Sequence, residues 1–206
     1  MSFSDYFDKA LCINLDRRPD RWEESLKEFN KIGIDNVKRI SALDGKAIGY
    51  QKPYLSLAET ACVMSHIKAL TYAKTKNMNS VFIAEDDIEF TDNFNEKFNE
   101  IEDRIPSDWQ LLYLCINPDS GEYNRIYDNF YKIKGCYSAH AILYKNEIFD
   151  KAIEFLENNR YPADVSLGLL QSHANAYSVY PHLAYQRKDF SDIQNMNVDY
   201  VRFRNC

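Results

Sequence analysis

The chain has 206 residues, with 25 Lys+Arg against 31 Asp+Glu and a net charge of -6. That length gives room for one good-sized domain whose core needs neither disulfides nor a structural metal. A composition of 45% hydrophobic and 27% charged residues, with 6 Gly and 6 Pro, excludes collagenous, low-complexity and largely disordered classes, and the acidic balance offers a nucleic-acid backbone no overall positive field.

In chain order the pattern reads as βαβ units. Leu11 to Leu15 is a short apolar strand, and Pro19 stands where a helix begins. Trp22, Leu26, Phe29 and Ile32 recur at spacings of four and three, a helical stripe closed by Gly33. Val37 to Ala42 reads as a second strand, and Asp44-Gly45 as a turn. Ser56 and Glu59 have capping-box spacing, ahead of a helix carrying Val63, Ile67 and Leu70. Val81 to Ala84 is apolar on both faces, as a buried parallel strand is, and runs into Glu85-Asp86-Asp87. Later come strands over Trp109 to Cys115 and Tyr137 to Tyr144, helices over Asn146 to Asn158 and Asp164 to His173, and an extended stretch from Tyr177 to Tyr185. The expectation is a single α/β domain over residues 1–206, a largely parallel sheet flanked by helices.

The five cysteines, at 12, 62, 115, 136 and 206, are odd in number and form no CxxC, so a zinc ribbon or secreted disulfide framework does not fit. With no apolar leader at the N-terminus and no run of about 18 uncharged apolar residues, the sequence reads as soluble and cytoplasmic. The six glycines form neither GxGxxG nor GxxxxGK, and GxSxG and HExxH are absent, which removes dinucleotide, P-loop, hydrolase and zincin chemistry.

What remains is carboxylate chemistry, densest at Glu85-Asp86-Asp87. Ligands of open α/β sheets collect beyond the carboxyl ends of the strands, where this cluster falls. Three like charges in a row repel one another unless a cation sits among them, and oxygen ligands select Mg²⁺ or Mn²⁺. Such an ion bridges to a diphosphate and stabilises it as a leaving group. An apolar strand ending in Glu-Asp-Asp also opens phosphate-accepting receiver domains. That reading needs the motif at the first strand and a buried downstream Asp, whereas Asp128 lies in a polar stretch.

Several segments together resemble glycosyltransferase family 25, which includes lipooligosaccharide and collagen hydroxylysine galactosyltransferases. Ile13 to Arg21 resembles the family's opening and Ser41 to Gly45 its next block. Leu55-Ser56-Leu57-Ala58-Glu59-Thr60-Ala61-Cys62-Val63-Met64-Ser65-His66 is similar to its Leu-Ser-x-x-Glu-x-x-Cys-x-x-Ser-His signature. Glu85 to Asp87 falls at the place of its metal and nucleotide motif. Tyr161 to Asp164 looks like its Pro-x-Asp segment, and Pro181 to Gln186 with Ser191-Asp192 like its C-terminal block. The resemblance implies a GT-A fold, a UDP-galactose or UDP-glucose donor, Mn²⁺ or Mg²⁺, and inversion at the anomeric carbon.

Carried onto this chain, the resemblance makes Asp87 the principal metal ligand, with Glu85 on the metal or the donor ribose and Asp86 the second choice. Asp164 is the candidate base and Asp192 its rival. Arg17, Arg18 and Arg21 are candidates for the diphosphate or uracil, since guanidinium groups pair bidentately with phosphate. Asn14, Asp44, Ser65 and His66 are candidate donor contacts, and His140, His173 and His182 further metal-ligand candidates. The expected acceptor is a hydroxyl on a lipooligosaccharide or polysaccharide glycan, or on a hydroxylysine-type side chain. A lipid-linked acceptor implies peripheral contact with the inner face of a membrane. The alternative is a non-catalytic nucleotide-sugar or carbohydrate-binding module on the same fold.

Overall fold

The computed structural model describes residues 2–199. The chain opens with β1 (Lys9–Asn14), α1 (Pro19–Lys31) and β2 (Val37–Ser41). Pro19 occupies the first helical position, where its missing N–H has no intrahelical partner to lose. Gly33, at φ +81°, turns the chain out of α1 in the left-handed conformation that favours glycine. Next is α2 (Leu57–Thr75), started by the expected capping box: Glu59 N donates to Ser56 Oγ at 3.1 Å and Ser56 N to Glu59 Oε2 at 2.8 Å.

Then follow β3 (Ser80–Glu85), β4 (Ile88–Phe90), α3 (Phe94–Asn99), β5 (Leu111–Tyr113), β6 (Glu122–Tyr127), β7 (Phe130–Lys134) and β8 (Ala141–Lys145). The chain continues through α4 (Phe149–Asn158), α5 (Ala163–Leu170), β9 (Ala176–Val179), β10 (Ala184–Gln186), β11 (Asp189–Ser191) and β12 (Met196–Val198).

Eight strands form one sheet in the order β2-β1-β3-β8-β5-β9-β7-β6. β2, β1, β3, β5, β9 and β6 point one way and β8 and β7 the other, so the sheet is mixed with one dominant direction. Alternation along the strands explains why both faces are covered. Leu11, Ile13, Val81 and Ile83 face one way, into a core with Val63 and Leu70 of α2, Leu156 of α4 and Leu167 of α5. Ala10, Cys12, Phe82 and Ala84 face the other way, onto Phe29 of α1 and Phe94 and Phe98 of α3. On that second side Phe3, Phe82, Phe94 and Phe98 pack mostly edge to face, with Phe3 ring centroids 5.0–5.4 Å from the other three.

The expected strand over Trp109 to Cys115 is regular only at Leu111–Tyr113, and that over Tyr137 to Tyr144 begins at Ala141. The polar stretch around Asp128 is the β6–β7 hairpin, with Asp128 at its exposed turn paired to Arg125 at 2.8 Å. That position removes the receiver reading, which needs a buried acceptor Asp. Among the described residues no helix is long and apolar enough to cross a membrane. Cys12, Cys62, Cys115 and Cys136 form no disulfide with one another, and Cys206 lies outside the described residues.

Candidate active site at the carboxyl ends of β1 and β3

β1 pairs with β2 on one side and β3 on the other, both parallel. After β1 the chain runs to β2 on one side and after β3 to β5 and β8 on the other, so the crevice between the carboxyl ends of β1 and β3 is a topological switch point. Asn14 ends β1 and Glu85 ends β3, so the sequence places its acidic run at this crevice.

The charges are balanced differently from the sequence expectation. Arg21, on the first turn of α1 and almost buried, sends Nη1 to Asp86 Oδ1 at 2.8 Å and Nη2 to Asp87 Oδ2 at 3.3 Å, with Nε 3.2 Å from Asp189 Oδ2. A buried guanidinium thus supplies the positive charge that the acidic run requires. The like charges of the run are therefore offset in part by Arg21, without a metal. Asp86 is held further by Asn14 Nδ2 at 2.6 Å, and burial pushes its carboxyl up while Arg21 opposes the rise. Asp86 thereby anchors Asn14 of β1 and Arg21 of α1 to the end of β3.

Glu85 and Asp87 differ from Asp86. Glu85 Oε1 lies 2.9 Å from His66 Nε2; burial raises its carboxyl, but the hydrogen bond and charge of His66 hold it below the usual range. Asp87 Oδ2 accepts from Gln186 Nε2 at 3.3 Å, while Oδ1 is buried without a partner. Burial first, and then the charge of Glu85, push the Asp87 carboxyl up to about 7. An orphaned carboxylate oxygen beside a second carboxylate is a donor set that fits a hard divalent cation, with water or phosphate oxygens completing the shell.

Asp164 stands in the first turn of α5, its Oδ1 accepting from Val165 N at 2.8 Å. Burial raises its carboxyl and the charge of Glu85 raises it further, which places it within electrostatic reach of the acidic cluster. Asp192 is placed otherwise: Oδ1 meets Arg17 Nη1 at 2.9 Å and Oδ2 meets Arg18 Nη1 at 3.1 Å, so both oxygens are engaged by guanidinium groups. Asp192 is thus an ion-pair partner of both arginines. Arg17 also binds Asp44 at 2.6 Å, and Arg18 binds Asp20 at 2.8 Å and Asp189 at 3.4 Å.

Two expected donor contacts, Asn14 and Ser65, have their side-chain polar atoms occupied by the fold. Asn14 is 1% exposed; its amide donates to Arg18 O and Asp86 and its oxygen accepts from Arg39 Nε at 2.7 Å. Ser65 is buried, donating to Ala61 O at 2.7 Å and accepting from Leu43 N at 2.9 Å, which ties the 43–46 loop to α2. His66 is buried against Glu85 and orients that carboxylate. Asp44 accepts from Lys46 N at 2.9 Å and shapes the loop, in which a Cβ at Gly45 would come within 2.8 Å of the Ala58 backbone.

His140, His173 and His182 belong to no three-residue ligand group among the described residues, whereas Cys62, His66 and Glu85 do. Sequence reasoning gave no role to Cys62, Arg39, Gln186, Arg187 or Asp189. Cys62 and Gln186 lie inside the resembled blocks, but Arg187, which donates through its backbone to Asp87 O at 2.6 Å, and Asp189 carry no signal beyond polarity.

The fold and site together define an α/β protein with a carboxylate and arginine cluster at the switch point of its sheet. Residues 7–127 match the model of "Glycosyltransferase family 25 (LPS biosynthesis protein)", and the chain belongs to glycosyltransferase family 25. It is 30% identical over 129 residues to human procollagen galactosyltransferase 2, a match covering 52% of this chain and 20% of that protein. A Drosophila melanogaster glycosyltransferase 25 family member is 30% identical over 126 residues, covering 52% and 20%. The human inactive glycosyltransferase 25 family member 3 is 28% identical over 137 residues, covering 55% and 23%. The chain thus spans about a fifth of the length of the curated relatives it matches.

Proposed function

We propose that the chain, acting as a single glycosyltransferase domain, moves galactose or glucose from a UDP-sugar to a hydroxyl acceptor on a glycan or a hydroxylysine-type side chain, with inversion. The observation that carries this reading is the Glu85–Asp87 pair, with its unpartnered Asp87 oxygen, at the switch-point crevice and within electrostatic reach of Asp164. The galactosyltransferase names of relatives support the sugar and the acceptor classes.

Glu85 and Asp87 would hold Mn²⁺ or Mg²⁺, which when bound offsets the negative charge of the departing diphosphate. His66 keeps Glu85 turned to its task through the 2.9 Å contact. Arg17 and Arg18 offer guanidinium groups to the diphosphate in exchange for their present carboxylates. Asp164 takes the proton from the acceptor hydroxyl as the oxygen–carbon bond forms and the carbon–oxygen bond to UDP breaks, its electron pair leaving with the diphosphate. A carboxyl raised by burial is a stronger proton acceptor than an exposed one, which suits that role at neutral pH.

The site works in a cytoplasmic setting, at the inner face of a membrane when the acceptor is lipid-linked. The test is calorimetric titration with UDP-galactose, UDP-glucose and UDP-N-acetylglucosamine, with Mn²⁺ and then with EDTA. Binding of one UDP-hexose that EDTA abolishes, together with loss of transfer in Asp164→Asn, supports the reading. Sugar binding without turnover on any glycan acceptor turns it into a binding module, a state for which relatives carrying the word inactive in their names give precedent.

A further inference from the structure

Cys62, His66 and Glu85 form a second constellation in which the proposed transfer engages Glu85 and, through it, His66, but leaves the thiol without a role. Cys62 and His66 stand four residues apart on α2 and so share one face, while Glu85 meets them from the end of β3. The sulfur, an imidazole nitrogen and a carboxylate oxygen all lie within 4.8 Å of one another. Bonds of about 2.0–2.3 Å to a tetrahedral ion put its ligand atoms about 3–4 Å apart, close to the separations within 4.8 Å seen here. His66 Nδ1 is buried without a hydrogen-bond partner, so no second contact fixes the ring. Cys62 is partly exposed and the Glu85 side chain is 22% exposed, which leaves an entry path.

We infer that Cys62, His66 and Glu85 form a binding site for a borderline transition metal ion, Zn²⁺ above all, separate in chemistry from the all-oxygen site of Glu85 and Asp87. Thiolate and imidazole ligands select Zn²⁺ over Mg²⁺ and Mn²⁺, and the Irving–Williams order favours zinc over manganese at such a site. Three protein ligands leave a fourth position for water or an anion. Binding displaces the Cys62 proton to solvent, since the thiolate is the ligand. The site stands whether or not the chain transfers a sugar. If it does, the shared Glu85 makes Zn²⁺ a competitor of the hard cation and therefore an inhibitor.

The experiment is titration of the reduced 206-residue chain with Co²⁺ as a spectroscopic stand-in for Zn²⁺. A near-ultraviolet sulfur-to-cobalt charge-transfer band, with strong visible bands of a tetrahedral ion and bleaching by Zn²⁺, is the expected result. The charge-transfer band disappears in Cys62→Ser but persists in Cys136→Ser and Asp87→Asn, and Zn²⁺ affinity falls at least about tenfold in Cys62→Ser and His66→Gln. In the unsubstituted protein Zn²⁺ also protects Cys62 from alkylation, read by peptide mass, which needs no variant to fold. Absence of the band, its survival in folded Cys62→Ser, or unprotected Cys62 overturns the inference. Asp87→Asn separates the two sites, because loss of UDP-sugar binding there with the cobalt band intact concerns the transfer reading alone.

Discussion

Arg21 Nη1 lies 2.8 Å from Asp86 Oδ1, and the two side chains are 10% and 8% exposed. Removing one member of a buried pair strands the other charge out of water, which costs about 3–5 kcal/mol. Arg21→Met is expected to lose about that much stability in urea denaturation, and Asp86→Asn, which keeps a polar partner for Asn14 and Arg21, markedly less. Equal, small losses in both would show that the pair is not the electrostatic centre of the crevice.

Asp87 makes the opposite prediction. Its carboxyl is raised in the fold to about 7 from 3.8, so the folded chain keeps a proton that the unfolded chain releases. The associated stability is complete below the unfolded value and is lost as pH rises through the folded one. Asp87→Asn is therefore expected to stabilise the metal-free protein at pH 8 by about 4 kcal/mol while abolishing sugar transfer, with the stability gain vanishing near pH 4. Thermal melts of both proteins across that range measure it.

His140 controls the acid side. Burial pushes its imidazole down to about 4 from 6.5, with Glu85 only partly opposing. The unfolded chain takes up that proton first, so stability is full above pH 6.5 and drains away as pH falls toward 4. His140→Gln is expected to flatten the slope of unfolding free energy against pH in this window, and an unchanged slope would assign acid sensitivity to other groups.

Asp164→Asn is expected to lower kcat by about 10²- to 10⁴-fold while leaving UDP-sugar affinity within about twofold. A parallel collapse of donor binding would make Asp164 a donor contact and not the base. Isothermal titration beside steady-state rates distinguishes the two outcomes.

Gly45 tests the loop that α2 holds. A methyl group there meets the Ala58 backbone at 2.8 Å, so Gly45→Ala must move either the loop or the first turn of α2. A loss of about 1–3 kcal/mol is expected, with weaker donor binding, because the loop carries the Asp44 partner of Arg17.

The halves of the fold were not equally legible. α1 and α2 announced themselves through Pro19, Gly33 and the Ser56–Glu59 box because caps are local chemistry, and β3 through apolar residues on both faces. The β6–β7 hairpin and β4 were not readable, since their pairing is set by partners far along the chain and β6 is exposed throughout. At the site the acidic run was visible as composition, but its counter-ion was not. Arg17, Arg18 and Arg21 look alike in sequence, and only the rotation of α1's first turn turns Arg21 inward to Asp86. The ion pairs of Asp192 were not legible because its guanidinium partners lie 174 and 175 positions away.

The pairing of β4 with β10 gives the molecule a temporal order. Residues up to 127 contain β1, β3 and the acidic run, yet Asp87 receives Gln186 and Arg187 only after β10 has been synthesised and laid against β4. Contacts of such long sequence separation form late, because loop closure must precede any reward. Before that, Glu85 already has His66 and Asp86 already has Asn14 and Arg21, while Asp87 still lacks Gln186 and Arg21 still lacks Asp189. The crevice therefore takes its final form only when the C-terminal strands are in place beside β4.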